Sequence, residues 1–469
     1  MIVARYPLSH GQRGLWFVQE LRGATSAYHD REVFHLVGPL DLTALTEAVT
    51  ELTDRHEMLR TRFVTIGGEP VQVVDDRWRG EVRVQRAAAG ADRDDQVAAF
   101  VAAVTAQPLD LANGPLFRVD VLALDERDHV LVFTLHHIIT DGWSVRLMLE
   151  ELSRSYARLT AAGARAPGPA PRPRQYGEFA LWQRDTLTGS ERDRLLAYWA
   201  DHIAGAPTEL DLGPGRPGDG AGPAAVTIGF DIPATTVQPL DAFARSCGAT
   251  PFMALLAVFE TVLAQAARTR DLLVGVPVVG RTVPGFEDSL GFFVNLLALR
   301  ADLRDDPTGE QLLRAVRRNV LGGFAHQDLP FEQLVVGVNP ARTPEAHPLV
   351  QATLQLIDGS FDSALQLDGT SAVGLPVDEP EIAYALTLDL HGRDGGLHGR
   401  LTYTPAAVDP QLARAIAEGV ARLAALLPAH PQCRVSELQA LVAREVPGLP
   451  PPERAAPPSV PSPTATSEE

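Results

Sequence analysis

A chain of 469 residues exceeds what one small hydrophobic core serves, and predicts two domains or one fold with two lobes. Hydrophobic residues make up 45% and charged residues 21%, a soluble globular balance, with no apolar run of about 18 residues that could span a bilayer. The formal charge of −18 argues against nucleic-acid or anionic-membrane partners, and all 41 basic residues are arginine, which excludes Schiff-base chemistry and a lysine phosphate grip. Cys247 and Cys433 are the only cysteines, so neither a disulfide framework nor a cysteine-based zinc site is expected. The N-terminal "MIVARYPLSHGQ" has no signal-peptide pattern, and a reducing cytoplasm is the expected compartment.

In chain order, residues 1–175 read as a mixed α/β lobe. "DLTALTEAVTELTDRHEMLRTRF" is a helix, with Leu42, Leu45, Val49 and Leu52 near the 3.6-residue period. "GEVRVQRA" and "LFRVDVLAL" alternate as strands, "HVLVFTLHH" is a more buried strand, and "WSVRLMLEELSRSYARL" is again helical. "AAGARAPGPAPRPR" (161–174) is a Pro-rich linker. A second α/β lobe spans 176–445. It opens on one long helix, "YGEFALWQRDTLTGSERDRLLAYWADHI", and then has a flexible connector at 213–223. The apolar helix "ATPFMALLAVFETVLAQAA", the strand "DLLVGVPVVG" and the helix "GEQLLRAVRRNVLGGFAH" follow, then strands "VQATLQLID" and "LHGRLTYTP" and the helix "PQLARAIAEGVARLAALLPAH". Residues 446–469 form a Pro/Ser/Thr-rich tail, expected to be disordered.

The stretch that carries chemistry is "HVLVFTLHHIITDGWS" (129–144). Along a strand successive side chains face opposite ways, so His136 and His137 cannot aim at one point, and no metal site is expected there. The Asp-Gly pair changes the reading. Gly142 permits a positive φ and can turn its N–H back toward the strand end, while Asp141 can pair with an arginine and fix the loop. A base, an orienting carboxylate and a backbone donor together suit acyl transfer.

"HHIITDG" resembles the HHxxxDG signature of nonribosomal peptide synthetase condensation domains, relatives of chloramphenicol acetyltransferase. Further stretches resemble the family's motifs in the family's order: "LSHGQRGLWF" (8–17), "RHEMLRTRF" (55–63), "YGEFALWQRD" (176–185), "GFFVNLLALR" (291–300), "HQDLPFEQLV" (326–335) and "RTPEAHPLVQATLQL" (342–356). The resemblance implies two chloramphenicol acetyltransferase-like α/β lobes in a V shape around a central tunnel. It also implies transfer of a carrier-bound acyl or aminoacyl thioester to an amine or hydroxyl acceptor, by direct attack without an acyl-enzyme. His137 takes the position of the functional histidine and Gly142 that of a possible oxyanion donor. His136 is structural, and Asp141 is architectural, with Arg281 and Arg60 as its candidate partners. Trp143, Ser144 and Asn295 are placed beside the substrate tunnel, Asn295 either bonding substrate or capping a turn. Leu296 stands where the family has a threonine.

No bound cofactor is implied, since the substrate arrives on the phosphopantetheine of a carrier protein. The implied partners are a donor carrier and either a second carrier or a small amine or alcohol, for a monomer expected to act as a freestanding enzyme. Amide formation is favoured over ester formation. Two alternatives share the fold: an epimerisation domain, whose glutamate is not apparent in "GFFVNLLALR", and a noncatalytic recruiting domain, whose histidine motif is usually degraded. A soluble acyl-CoA-dependent acyltransferase would carry a "DFGWG" motif that this chain lacks.

Overall fold

In the computed structural model the described residues are 2–23, 28–88, 90, 92–161, 171–213, 225–340, 347–357, 364–377 and 381–452. Most of the Pro-rich linker, the connector at 213–223 beyond its first residue, the start of the last motif and the tail beyond 452 lie outside them.

The first lobe runs β1 (Ile2–Pro7), α1 (His10–Arg22), β2 (His29–Val37), α2 (Leu42–Arg55), β3 (Thr61–Ile66), β4 (Glu69–Asp75), β5 (Val82–Arg86), α3 (Arg93–Thr105), β6 (Phe117–Asp125), β7 (Asp128–His136) and α4 (Gly142–Thr160). The second follows as α5 (Tyr176–Thr186), α6 (Gly189–His202), β8 (Val226–Ile232), α7 (Ala234–Ser246), α8 (Pro251–Ala266), β9 (Asp271–Val278), β10 (Asn295–Asp302), α9 (Gly309–Ala325), α10 (Phe331–Val338), β11 (Ala352–Ile357), β12 (Ser371–Gly374), β13 (Leu386–Arg393), β14 (Gly396–Tyr403), α11 (Pro410–Ala429) and α12 (Val435–Glu445).

Each lobe is built on a sheet. The first has the order β12-β2-β7-β6-β5, with a small β1-β4-β3 sheet beside it, and the second has β10-β9-β11-β13-β14-β8. β7 is central and covered on both faces, which explains its continuous apolar run in place of alternation. One face meets α2 and α4 through Phe133, Leu45, Leu52 and Leu149. The other packs Val130 and Val132 against Phe100 and Val104 of α3. In the second lobe α8 is buried along its length from Met253 and forms the centre of the core. Among the described residues no single helix is long and apolar enough to cross a membrane; α7 and α8 reach that length only together, across a 104° bend.

The division at residue 175 is crossed repeatedly. Tyr176 and Phe179 of α5, Phe286, Leu290 and Phe293 of the β9–β10 connection, and Leu365 and Leu367 all lie in the first lobe's core. β12 adds to the edge of the first sheet by pairing antiparallel with β2. The two-lobed α/β plan is thus laced together by second-lobe segments.

Three local expectations are corrected. The long helix expected from residue 176 breaks into α5 and α6, because Leu187 is tucked into the second core and Gly189 takes φ 54°. "VSELQALVARE" forms α12, which the sequence reading passed over. Residues 446–452 are not a disordered tail: Val446 and Leu449 are buried, and the Gln265 side-chain amide donates to the Pro450 carbonyl at 2.8 Å.

Candidate active site

β2 and β7 pair antiparallel with His29 opposite His136. The strand stops at His136, one residue before the end expected from its pattern. His137 opens a short 3-10 turn, His137–Ile139, capped by the His136 ring, whose Nδ1 accepts from the Ile138 N–H at 3.0 Å. That nitrogen must therefore be unprotonated. His136 is fully buried, and burial, with the neighbouring His29 and His137, pushes its pKa well below the ordinary value. His29, at 5.7 Å between ring centroids, is pushed down to about 4 by burial and by Arg31 and Arg118, against a smaller opposing effect of Asp30. Two neutral histidines thus form the floor beneath the third.

His137, the next residue, faces away from that floor, with its side chain 29% exposed. Its N–H donates to the Tyr28 carbonyl at 2.7 Å. Its ring packs edge-on against Phe292, with centroids 5.0 Å apart. Its Nδ1 lies 2.9 Å from Oδ2 of Asp30, the residue after His29 on β2 and so on the opposite face of that strand. An ionised carboxylate only accepts, so the neutral ring places its proton on Nδ1 and its lone pair on Nε2. Burial opposes charging of this ring, but the charge and hydrogen bond of Asp30, with the charge of Asp141, outweigh it and raise the pKa above 6.5.

Asp141 caps α4, its Oδ1 accepting from the Ser144 N–H at 2.8 Å, while Oδ2 accepts from the Phe293 N–H at 2.9 Å. Of the two candidate partners, Arg281 makes the ion pair, at 3.4 Å. Arg281 also donates to the carbonyls of Phe286 (2.7 Å) and Ser289 (2.8 Å) and lies 4.0 Å over the Phe293 ring. Arg60 is corrected: it is buried elsewhere, donating to the Thr53 and Asp75 carbonyls, and joins α2 to β4. Ser144 is also corrected as a tunnel residue. It is fully buried, and its Oγ donates to the Gly291 carbonyl and accepts from Arg281, both within 2.9 Å.

Gly142 is the first residue of α4, exposed, and without the positive φ expected of it. The glycine is not needed for a left-handed turn. A Cβ there would meet no atom within 4 Å, so the position borders open space. Its N–H belongs to the first helical turn and has no partner within the helix. Trp143 is 48% exposed, and its indole N–H donates to the Glu287 carbonyl at 3.0 Å.

A cavity between the lobes is lined by Gly11, Phe179, Trp182, Phe292, Asn295 and Glu332. Phe292 connects it to His137. Asn295 borders this cavity, yet its amide is fully used: it donates to the carbonyls of Gln327 (2.8 Å) and Leu329 (2.7 Å) and accepts from the N–H groups of Leu296 and Phe331. It seats the segment leading into α10. Asp30 and Phe292 were not singled out in the sequence; only the register of β2 against β7 brings Asp30 to His137.

The condensation-domain family model matches residues 3–447. Malpinin synthetase of Mortierella alpina is 35% identical over 86% of this chain, which spans 5% of that protein. Phosphinothricin tripeptide synthetase PhsC of Streptomyces viridochromogenes is 34% identical over 94% of this chain, which spans 41% of it. Among solved structures, the X-domain in the complex with OxyB from teicoplanin biosynthesis superposes with a TM-score of 0.81 at 26% identity, covering 93% of this chain and 96% of that one. The condensation domain of the monacolin K polyketide synthase MokA shares the fold, with a TM-score of 0.78 at 19% identity over 92% of this chain and 99% of that one. The matched model, the long synthetase relatives and the two-lobed fold around His137 agree: the chain belongs to the condensation-domain family of nonribosomal peptide synthetases.

Proposed function

We propose that this chain transfers a carrier-bound acyl or aminoacyl thioester directly to an amine or hydroxyl acceptor, with His137 as general base. The observation that carries this reading is the half-open His137 ring between the lobes, its Nδ1 engaged and its Nε2 left as the basic nitrogen. The acceptor X–H attacks the thioester carbonyl carbon and its proton passes to Nε2. The oxygen of the tetrahedral intermediate gains charge near the Gly142 N–H at the start of α4, where the helix dipole favours an anion. Attack forms the C–X bond; collapse restores the carbonyl, breaks the C–S bond, and returns the proton from the imidazolium to the departing phosphopantetheine thiolate.

No residue needs to be acylated on this route. Alignment of two tethered reactants would supply much of the rate, with effective molarity worth about 7–11 kcal/mol in well-oriented cases. The partners are then a donor carrier protein and either a second carrier or a free small acceptor, meeting on one copy of the chain, because the groups described all lie in a single chain. Asp141, Ser144 and Arg281 hold the lobes in register.

The likeness to an X-domain in complex with OxyB favours one second reading, a noncatalytic module that recruits a partner protein. The intact His137 with its accessible ring weighs against it. The test is to incubate the protein with acyl and aminoacyl carriers encoded near its gene and a panel of amines and alcohols, and to follow transfer by mass spectrometry. His137→Ala, checked by circular dichroism, runs in parallel. Transfer lost in the folded variant supports the enzyme; no transfer from any donor, with partner binding unaffected by the substitution, supports the recruiting module.

A further inference from the structure

We propose that Asp30 is a positioning residue for His137, making the site a carboxylate–imidazole pair in which Asp30 fixes the ring tautomer and balances the imidazolium formed during transfer. This rests on His137 being the base. The geometry comes from the register of β2 against β7. β2 alternates, sending His29 into the buried floor and Asp30 to the other face. His29 pairs with His136, so His137, the first residue past the end of β7, lies on the same face as Asp30, and its Nδ1 reaches Asp30 Oδ2 at 2.9 Å.

A purely structural role for this contact has little left to do. The turn is already held by four other bonds: His137 N–H to Tyr28 carbonyl, Ile138 N–H to His136 Nδ1, Thr140 N–H to His137 carbonyl, and Gln12 side-chain amide to Ile138 carbonyl. None involves the Asp30 side chain. What Asp30 adds is control of the ring alone.

Asp30 is also kept available for that task. Among the described residues it pairs with no arginine, although its neighbour Arg31 is close; Arg31 donates instead to the His29 and Thr105 carbonyls. The other charged or titratable groups near the ring do not substitute for it. His136 and His29 lie beneath in neutral form. Asp141, at the head of α4, adds a smaller effect in the same direction, but it is ion-paired with Arg281 from the second lobe and no bond joins it to the ring. On the remaining side stands the apolar Phe292 ring. Asp30 is thus the one charge bonded to the imidazole, in the relation that a carboxylate bears to histidine in a catalytic triad.

The experiment uses protein labelled with ¹⁵N in histidine, with His137→Gln identifying the His137 signals in long-range ¹H–¹⁵N spectra. The wild type is expected to show a protonated Nδ1 and bare Nε2 in the neutral ring, titrating above 6.5. In Asp30→Asn the His137 pKa falls, and the acid limb of kcat/KM moves to lower pH by the same interval. The plateau kcat is expected to fall about 10- to 1000-fold, short of the roughly 10⁴-fold cost of losing the carboxylate in a buried triad, while KM for the donor carrier stays within about twofold. Asp30→Glu, which restores the charge, recovers the acid limb. A wild-type ring protonated on Nε2, or an unchanged His137 pKa and kcat in Asp30→Asn, overturns the proposal. The spectra need no substrate, so they judge Asp30 even if no acyl transfer is found; that second result would count against His137 as base and not against the pairing.

Discussion

Asp141 and Arg281 meet at 3.4 Å across the junction of the lobes, their side chains only 3% and 4% exposed. A charge pair so enclosed contributes most through what its loss leaves behind. Asp141→Ala strands a buried guanidinium, removes the cap of α4 and frees the Phe293 N–H. The expected loss is roughly 3–5 kcal/mol, read as a lower melting temperature and unfolding midpoint. Asp141→Asn keeps an acceptor for Ser144 and should lose less. An Asp141→Ala protein that melts like wild type but has lost transfer would instead give Asp141 a direct part in the chemistry.

Gly142→Ala separates folding from catalysis. The added Cβ meets no atom within 4 Å and the backbone has no left-handed strain, so the fold should tolerate it. Alanine is also favoured over glycine within a helix by up to about 1 kcal/mol, although less at a first turn. If the thioester occupies that open space, the methyl group obstructs it. An unchanged or slightly higher melting temperature with kcat/KM down by about tenfold or more is the expected pair of results. Full activity would place the substrate elsewhere.

The buried floor makes stability depend on acid. The folded-state pKa of His29 is depressed to about 4, below the ordinary 6.5 that the unfolded chain recovers. Its contribution is therefore complete above about 6.5 and lost as pH falls toward 4, because the unfolded state takes up the proton first. At its limit this amounts to roughly 3 kcal/mol, with His136 acting in the same direction. Melting temperature should fall between pH 7 and pH 5, and fall less steeply in His29→Phe, which cannot charge. Parallel curves for the two proteins would remove His29 as the cause.

The elements that decide the fold were largely legible because their patterns are local. Leu42, Leu45, Val49 and Leu52 mark α2, and the unbroken apolar run of β7 shows burial on both faces. Asp30 was not legible, since nothing local in the sequence marks it, and only the register of β2 with β7 gives its carboxylate a partner 107 positions away. The same lack of long-range information made Arg60 and Arg281 equal candidates for Asp141. Ser144 was misjudged in a different way, and of the two roles left open for Asn295 the hydrogen bonds show the capping one. Polar residues beside a reactive motif suggest substrate contact, yet in this fold their hydrogen bonds fasten the segments that carry the site.

Asn295 gives that distinction its sharpest test. Its two amide hydrogens satisfy the carbonyls of Gln327 and Leu329, and its oxygen accepts from Leu296 and Phe331. Asn295→Ala leaves these partners unmatched at a cost of about 1–3 kcal/mol for each group that stays buried. Asn295→Asp keeps the shape but turns a carboxylate oxygen toward two carbonyl oxygens, so it should be at least as unstable. If the residue only fastens the entry to α10, both variants melt earlier but retain KM for donor and acceptor at temperatures where they are folded. A raised acceptor KM with an unshifted melting temperature would reverse the assignment: substrate would then displace one of these internal bonds, and the amide would belong to the binding surface of the cavity it borders.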